Sequence, residues 1–174
     1  MNTDITLYLD MDGVLADFNK EYTKFDPQKE DRKKFRDSVL THKIFEKLDF
    51  MPDTQVLLNH VSRLNGVRIE ILTSMGTHEP FQASEAKSQK QRWLDKHNIP
   101  YKANFVRSKE EKAEYATPTS ILIDDSIGCV KPFEFEELLL KIKVLLKRTT
   151  NIINEQVSNK LYFADVIVDM NKKE

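Results

Sequence analysis

Four aspartates stand in two pairs, and each pair closes a short apolar run: Asp10 and Asp12 follow residues 5–9, and Asp124 and Asp125 follow residues 121–123. Two carboxylates at i and i+2, just past a buried strand, repel one another unless a cation joins them. Mg²⁺ is the natural choice, because it prefers hard oxygen ligands and keeps waters that a phosphate can replace. Gly13 permits the tight turn that folds Asp12 back over Asp10. Taken alone, Asp12-Gly13 reads equally as a surface turn, and Asp124-Asp125 as an exposed loop or a helix N-cap. Four carboxylates at two strand ends, however, need a cation or unusual protonation. The metal reading therefore wins, with Asp10, Asp12, Asp124 and Asp125 as candidate ligands.

A third apolar run, residues 67–72, ends in Thr73-Ser74, whose hydroxyl and backbone N–H groups suit phosphate oxygens or an oxyanion. Lys90, on the helix expected to follow, adds a compact positive charge for a bound phosphate. Arg107, after a weaker run at 104–106, reaches phosphate or base in one reading and is a surface residue in the other.

These groups need a scaffold that brings strand ends together. Apolar runs alternating with amphipathic stretches are the signature of a parallel α/β sheet with crossover helices, and ligands of such sheets sit at the carboxyl ends of the strands. Residues 54–65 form an amphipathic helix that Gly66 terminates, and 84–97 read as another. The stretch between the first two runs is too long for one crossover. Residues 18–53, with helical patterns at 18–25 and 30–40 separated by Asp26-Pro27, then become an insertion rooted after the first strand. The expected organisation is a catalytic core of residues 1–17 and 54–174 with a small helical cap at 18–53 overhanging the strand ends. The charge cluster 109–112 reads as a solvated turn. Residues 134–147 form a strongly amphipathic helix, and the apolar run 161–168 reads as a strand. This tail either finishes the sheet with a fifth strand or offers an apolar helix face to a second copy, giving a homodimer.

Composition narrows the function. Lys and Arg number 27 against 28 Asp and Glu, leaving a net charge of −1 and no basic excess to neutralise a nucleic-acid backbone. Stable nucleic-acid binding is not expected. The single Cys129 allows no internal disulfide and suits a reducing compartment. No run approaches the ~20 apolar residues of a membrane span, and the start of the chain lacks a basic signal-peptide region; the expectation is a cytoplasmic protein without membrane association. No G-x-x-x-x-G-K-[ST] occurs, which excludes a P-loop kinase, and the order of the acidic pair, hydroxyl and lysine does not match a phospho-acceptor receiver domain.

The order Asp10-x-Asp12-Gly13, Thr73-Ser74, Lys90, Asp124-Asp125 resembles the haloacid dehalogenase (HAD) superfamily of aspartate-nucleophile phosphotransferases. The stretch Asp10-Met-Asp-Gly-Val-Leu-Ala-Asp-Phe18 is similar to the 5′(3′)-deoxyribonucleotidases, including their bacterial and phage relatives. Ile44-Phe-Glu-Lys-Leu-Asp-Phe-Met-Pro52 resembles the end of that family's cap, and Lys90-Gln-Arg-Trp-Leu94 and Ile121-Leu-Ile-Asp-Asp125 match further motifs. The resemblance covers residues 5–130. After Val130 it fades, since no glycine follows Gly128.

The resemblance implies a Rossmann-like, three-layer α/β/α HAD fold and Mg²⁺-dependent hydrolysis of a small-molecule phosphomonoester. Asp10 would be the nucleophile, forming a phospho-aspartate. Asp12 would protonate the leaving alkoxide and then activate water. Mg²⁺ would be held by Asp10, the backbone carbonyl of Asp12, and Asp125, with Asp124 steering from behind. Thr73, Ser74 and Lys90 would hold the phosphate. In the nucleotidases, cap aromatics stack on the base; of Phe18, Tyr22, Phe25, Phe35, Phe45 and Phe50, most read as the insertion's own core, with Phe18 and Phe45 the preferred substrate contacts. The expected substrate is a deoxyribonucleoside monophosphate. A sugar phosphate keeps the mechanism, and a silent Mg²⁺/phosphate-binding module keeps only the scaffold.

Overall fold

The run Ile5-Thr6-Leu7-Tyr8-Leu9 forms β1 (Ile5–Leu9), one of two inner strands of a parallel sheet in a computed structural model that describes residues 5–25, 27–133, 160–163 and 166–169. It pairs on one side with β2 (Val67–Ser74) and on the other with β4 (Ser120–Ile123), while β3 (Lys102–Val106) lies beyond β2. The order is β3-β2-β1-β4 and every pairing is parallel. The four strands expected up to residue 123 are present, with β2 running two residues further than its apolar run. Thr73 and Ser74 are therefore the last residues of a buried strand, held by pairing with Phe105 and Val106.

Alternation along the strands loads both faces of the sheet. Leu7 and Leu9 of β1, Ile71 of β2 and Ile121 of β4 join one cluster, with Val61 from α3 (Thr54–Val61) and Ala83, Ala86, Trp93 and Leu94 from α4 (Pro80–Lys96). The intervening residues Tyr8, Leu72, Val106 and Leu122 join a second cluster with Tyr115, Cys129 and Phe133. A sheet apolar on both faces needs a layer on each. The short 3₁₀ helix Glu110–Tyr115 and α5 (Ile127–Val130) cover the second face, so the architecture is α/β and Rossmann-like, as expected. Helix α4 begins four residues before the expected position: Pro80 occupies its first turn, where the missing N–H costs nothing, and the Glu79 carboxylate accepts from the N–H groups of Phe81 and Gln82.

Residues 18–53 hold α1 (Phe18–Tyr22), α2 (Asp31–Leu40) and the 3₁₀ helix Ile44–Glu46. The two stems of this insertion lie side by side: Asp17 N–H donates to Asp49 O at 2.9 Å, and Met51 N–H to Leu15 O at 3.0 Å. Helix α4 holds its far side. Gln89 Nε2 donates to Val39 O at 2.8 Å, Trp93 Nε1 to Leu48 O at 2.8 Å, and Arg92 pairs with Glu46.

The chain divides into two compact units, Met1–Leu138 and Leu139–Glu174. In the second, β5 (Lys160–Phe163) and β6 (Val166–Asp169) pair antiparallel in a sheet of their own. The apolar run expected to be one strand is thus two, and among the described residues no fifth strand joins the main sheet. The expected helix at 134–147, and with it the apolar face for a second copy, lies outside the described residues. Among the described residues no helix is long and apolar enough to cross a membrane.

Candidate functional site

Register brings the carboxylates together. Leu9 lies opposite Ile123 in the β1–β4 pair, and Asp10 N–H donates to Ile123 O at 2.9 Å, so Asp10 and Asp124 leave the sheet as neighbours. Beyond Asp10 the chain folds into a tight turn in which Leu15 and Ala16 N–H both donate to Met11 O. Gly13 makes it possible, with φ at +80° and a Cβ position only 2.2 Å from Asp125 Oδ2. A left-handed φ and the absent side chain are both required here. The glycine's empty face accommodates the Asp125 carboxylate.

Oxygens of Asp10, Asp124 and Asp125 all lie within 4.8 Å of one another. Asp10 is buried, with Oδ1 accepting from Met11 N–H at 2.7 Å. Burial pushes its carboxyl up to about 7; Lys112 pulls against this, while Asp124 and Asp12 add to it. Burial, reinforced by Asp124, also raises the Asp125 carboxyl. Three converging carboxylates with no sulfur or imidazole among them are the donor set of a hard divalent cation, and the residues present fit one.

Lys112 changes the sequence reading. The cluster expected to be a solvated turn is the 3₁₀ helix Glu110–Tyr115, and Lys112 is 1% exposed within it. Its Nζ lies 2.9 Å from Asp10 Oδ2 and 2.6 Å from Asp124 Oδ2. Burial works against the ammonium, but the two carboxylates outweigh it and hold its pKa above the usual lysine value. The signal available in the sequence is the three-residue period of a 3₁₀ helix, which puts Lys112 on the same side as the inward-facing Tyr115.

A cavity of about 430 Å³ opens at these strand ends. Its lining includes Asp10, Asp12, Lys112 and Asp125 at the floor, Ser74 and the Met75–His78 loop, the segment Arg107–Glu110, and the rings of Phe18, Phe35 and Phe45. Of the residues singled out in the sequence, Asp10, Asp12, Ser74, Phe18, Phe45, Arg107 and Asp125 line it. Thr73, Lys90 and Asp124 stand behind the wall. Thr73 and Lys90 are fully buried and bonded to each other, Lys90 Nζ to Thr73 Oγ1 at 2.8 Å. Asp124 Oδ1 accepts from Ser126 N–H while its Oδ2 takes Lys112.

No protein-family model matches the chain, and no curated protein matches it. Among solved structures, it is similar to D,D-heptose 1,7-bisphosphate phosphatase from Burkholderia thailandensis at 15% identity, covering 83% of this chain and 84% of that one with a TM-score of 0.40.

The insertion's aromatic rings pack in a chain that ends at the cavity. Phe18 stacks on Phe45 with ring centroids 5.6 Å apart and on Tyr22 at 5.0 Å. Phe35, read from the sequence as insertion core, also reaches the cavity, and its ring covers Gly76: a Cβ there would come within 2.8 Å of the Phe35 ring. Tyr22, Phe25 and Phe50 do not line it. Ser74 closes the opposite side, with its hydroxyl donating to Arg107 O at 3.3 Å and accepting from Gly76 N–H at 3.0 Å.

Proposed function

We propose that this protein is an Mg²⁺-dependent phosphomonoesterase of the HAD type, acting on deoxyribonucleoside monophosphates through a phospho-aspartate. The observation carrying this reading is the meeting of Asp10, Asp125 and the buried Lys112 on the floor of one cavity that Asp12 also lines. A carboxylate nucleophile next to a second carboxylate is useful only if the two differ in role. Asp10 is tied to Met11 N–H and Lys112, which fixes its direction; Asp12 faces the same cavity without sharing those partners.

In the proposed reaction an Asp10 oxygen attacks phosphorus, the P–O bond to the alcohol breaks, and Asp12 delivers the proton that the departing alkoxide takes up. Asp12 then removes a proton from water as it attacks the phospho-aspartate, releasing inorganic phosphate and restoring Asp10. Asp10, the Asp12 carbonyl and Asp125 would hold Mg²⁺, which when bound screens the charge of the phosphate oxygens. Ser74 and Lys112 would bind the phosphoryl group, with Asp124 holding Lys112 in place. Residues 18–53 serve as the cap. The half-buried Phe18 and Phe35, backed by Phe45, give a flat apolar wall that supports an aromatic base opposite the charged floor.

The test is phosphate release with Mg²⁺ from dUMP and dTMP against UMP, a sugar phosphate and an aryl phosphate. Preference for the deoxynucleotides, abolished by EDTA and by Asp10→Asn in a folded protein, is the expected result. Activity confined to the sugar or aryl phosphate refutes the substrate, and substantial activity in Asp10→Asn refutes the mechanism.

A further inference from the structure

Lys90 places an ammonium in a position with no exposed surface at all, on helix α4 and behind the cavity wall. Burying an unpaired charge is prohibitively unfavourable, so its partners define its role. They come from three separate segments. Nζ donates to Asp12 Oδ2 at 2.6 Å, in the turn after β1, and to Thr73 Oγ1 at 2.8 Å, on β2. The Phe45 ring of the insertion lies beneath it, 4.4 Å from the ring centroid.

Asp12 is held on one side only. Its Oδ1 is buried with no hydrogen-bond partner, so among the described residues the lysine is what fixes the carboxylate's rotation. The two buried lysines thus divide the acidic floor. Lys112 serves Asp10 and Asp124, and Lys90 serves Asp12. Because Lys90 does not line the cavity, it acts on a substrate through the groups it touches there, and of these Asp12 is the one that can carry a proton.

Resting on the phosphatase reading above, we infer that Lys90 is a positioning residue for Asp12 and sets how well the protein expels a poor leaving group. An alkoxide leaving a sugar carbon must be protonated as the P–O bond breaks, whereas p-nitrophenolate departs as the anion. Misplacing the proton donor therefore penalises the first ester and spares the second.

The test compares kcat/KM of wild-type protein and Lys90→Met on dUMP and on p-nitrophenyl phosphate, since this ratio covers the steps up to leaving-group departure. The expected fall is about 100-fold on dUMP and less than about fivefold on the aryl ester. With the water-activating step also slowed, p-nitrophenolate appears as a burst in Lys90→Met. In an Asp12→Asn background the same substitution adds no further loss on dUMP. Should Lys90→Met fail to fold, Lys90→Gln, which keeps a donor, carries the same comparison. Equal falls on both esters, or none on dUMP, overturn the assignment while leaving the phosphatase reading in place. A wild-type protein inactive on both esters overturns the reading and this assignment together.

Discussion

Lys112 Nζ lies 2.9 Å from Asp10 Oδ2 at the carboxyl edge of the sheet, and both side chains are almost fully buried. Asp124 completes the arrangement at 2.6 Å, so one ammonium answers two buried carboxylates. Removing one partner from such a group costs far more than the interaction itself contributes, because the other charges remain buried. Lys112→Met is expected to lower stability by about 3–5 kcal/mol and to lose at least about 100-fold in phosphate release. Thermal unfolding with and without Mg²⁺ separates the two effects. The divalent ion replaces part of the missing positive charge, so it recovers stability in the variant more than in the wild type, without recovering turnover.

The Asp10 carboxyl, raised by burial to about 7, ties cation binding to pH. A cation needs the ionised form, so binding at neutral pH releases a proton. The apparent Mg²⁺ affinity is expected to fall by about tenfold for each unit below that pKa and to level off above it. The sign for the metal-free protein follows from the same shift. Between the unfolded carboxyl pKa of 3.8 and the folded value of about 7 the native state binds more protons. This group therefore favours folding most below that window, and its contribution is lost as pH rises through about 7. Calorimetric Mg²⁺ titrations at several pH values, in buffers of different ionisation enthalpy, measure both the affinity and the proton released. A pH-independent affinity from pH 6 to 8 contradicts the raised Asp10 carboxyl.

The strand-end carboxylates are legible in the sequence because two apolar runs each end in an acidic pair, a coincidence that neither pair shows alone, and parallel pairing of such runs brings their ends to one edge. Lys112 is not legible in the same way. Its burial depends on Asp10 and Asp124, and only the folded sheet brings those two together. Local polarity marks it as solvated, and only the geometry of its 3₁₀ helix argues otherwise. Lys90 illustrates the same limit from the other side: its place on α4 is readable, but its direction is set by Thr73 continuing β2 instead of starting a loop. The extra length of β2 and the early start of α4 escape a reading that treats Thr, Ser and Pro as breaks, although a buried hydroxyl and a first-turn proline satisfy these elements. The apolar run 161–168 shows the converse: it reads as one strand, whereas Lys160–Phe163 and Val166–Asp169 are two strands paired antiparallel.

Gly13 joins the two halves of the acidic floor. A side chain there meets Asp125 Oδ2 at 2.2 Å and must also hold φ at +80°. Gly13→Ala is expected to cost about 1–3 kcal/mol through backbone strain and to displace the Asp125 carboxylate. Mg²⁺ affinity should suffer more than the unfolding temperature. Calorimetry against a melt distinguishes this from general destabilisation, which would leave the cation affinity of the folded fraction intact.

Trp93 tests whether the insertion's attachment to α4 matters for substrate choice. Its ring is fully buried, and Nε1 donates to Leu48 O at 2.8 Å, close to the 3₁₀ helix that carries Phe45. Trp93→Phe keeps an aromatic ring but leaves the Leu48 carbonyl without this donor, a loss of about 1–3 kcal/mol for a buried acceptor. The effect on function should be selective. The floor's carboxylates follow β1 and β4 and share no hydrogen bond with Trp93 or Leu48, whereas the aromatic wall is expected to move with residues 44–48. KM for dUMP is expected to rise by about three- to tenfold, the equivalent of roughly 1 kcal/mol of lost contact, while kcat/KM for p-nitrophenyl phosphate stays within about twofold, because that ester is held mainly by its phosphoryl group. A parallel loss on both esters would mean that the bond supports the acidic floor as well, and that the insertion and the sheet edge act as one rigid piece.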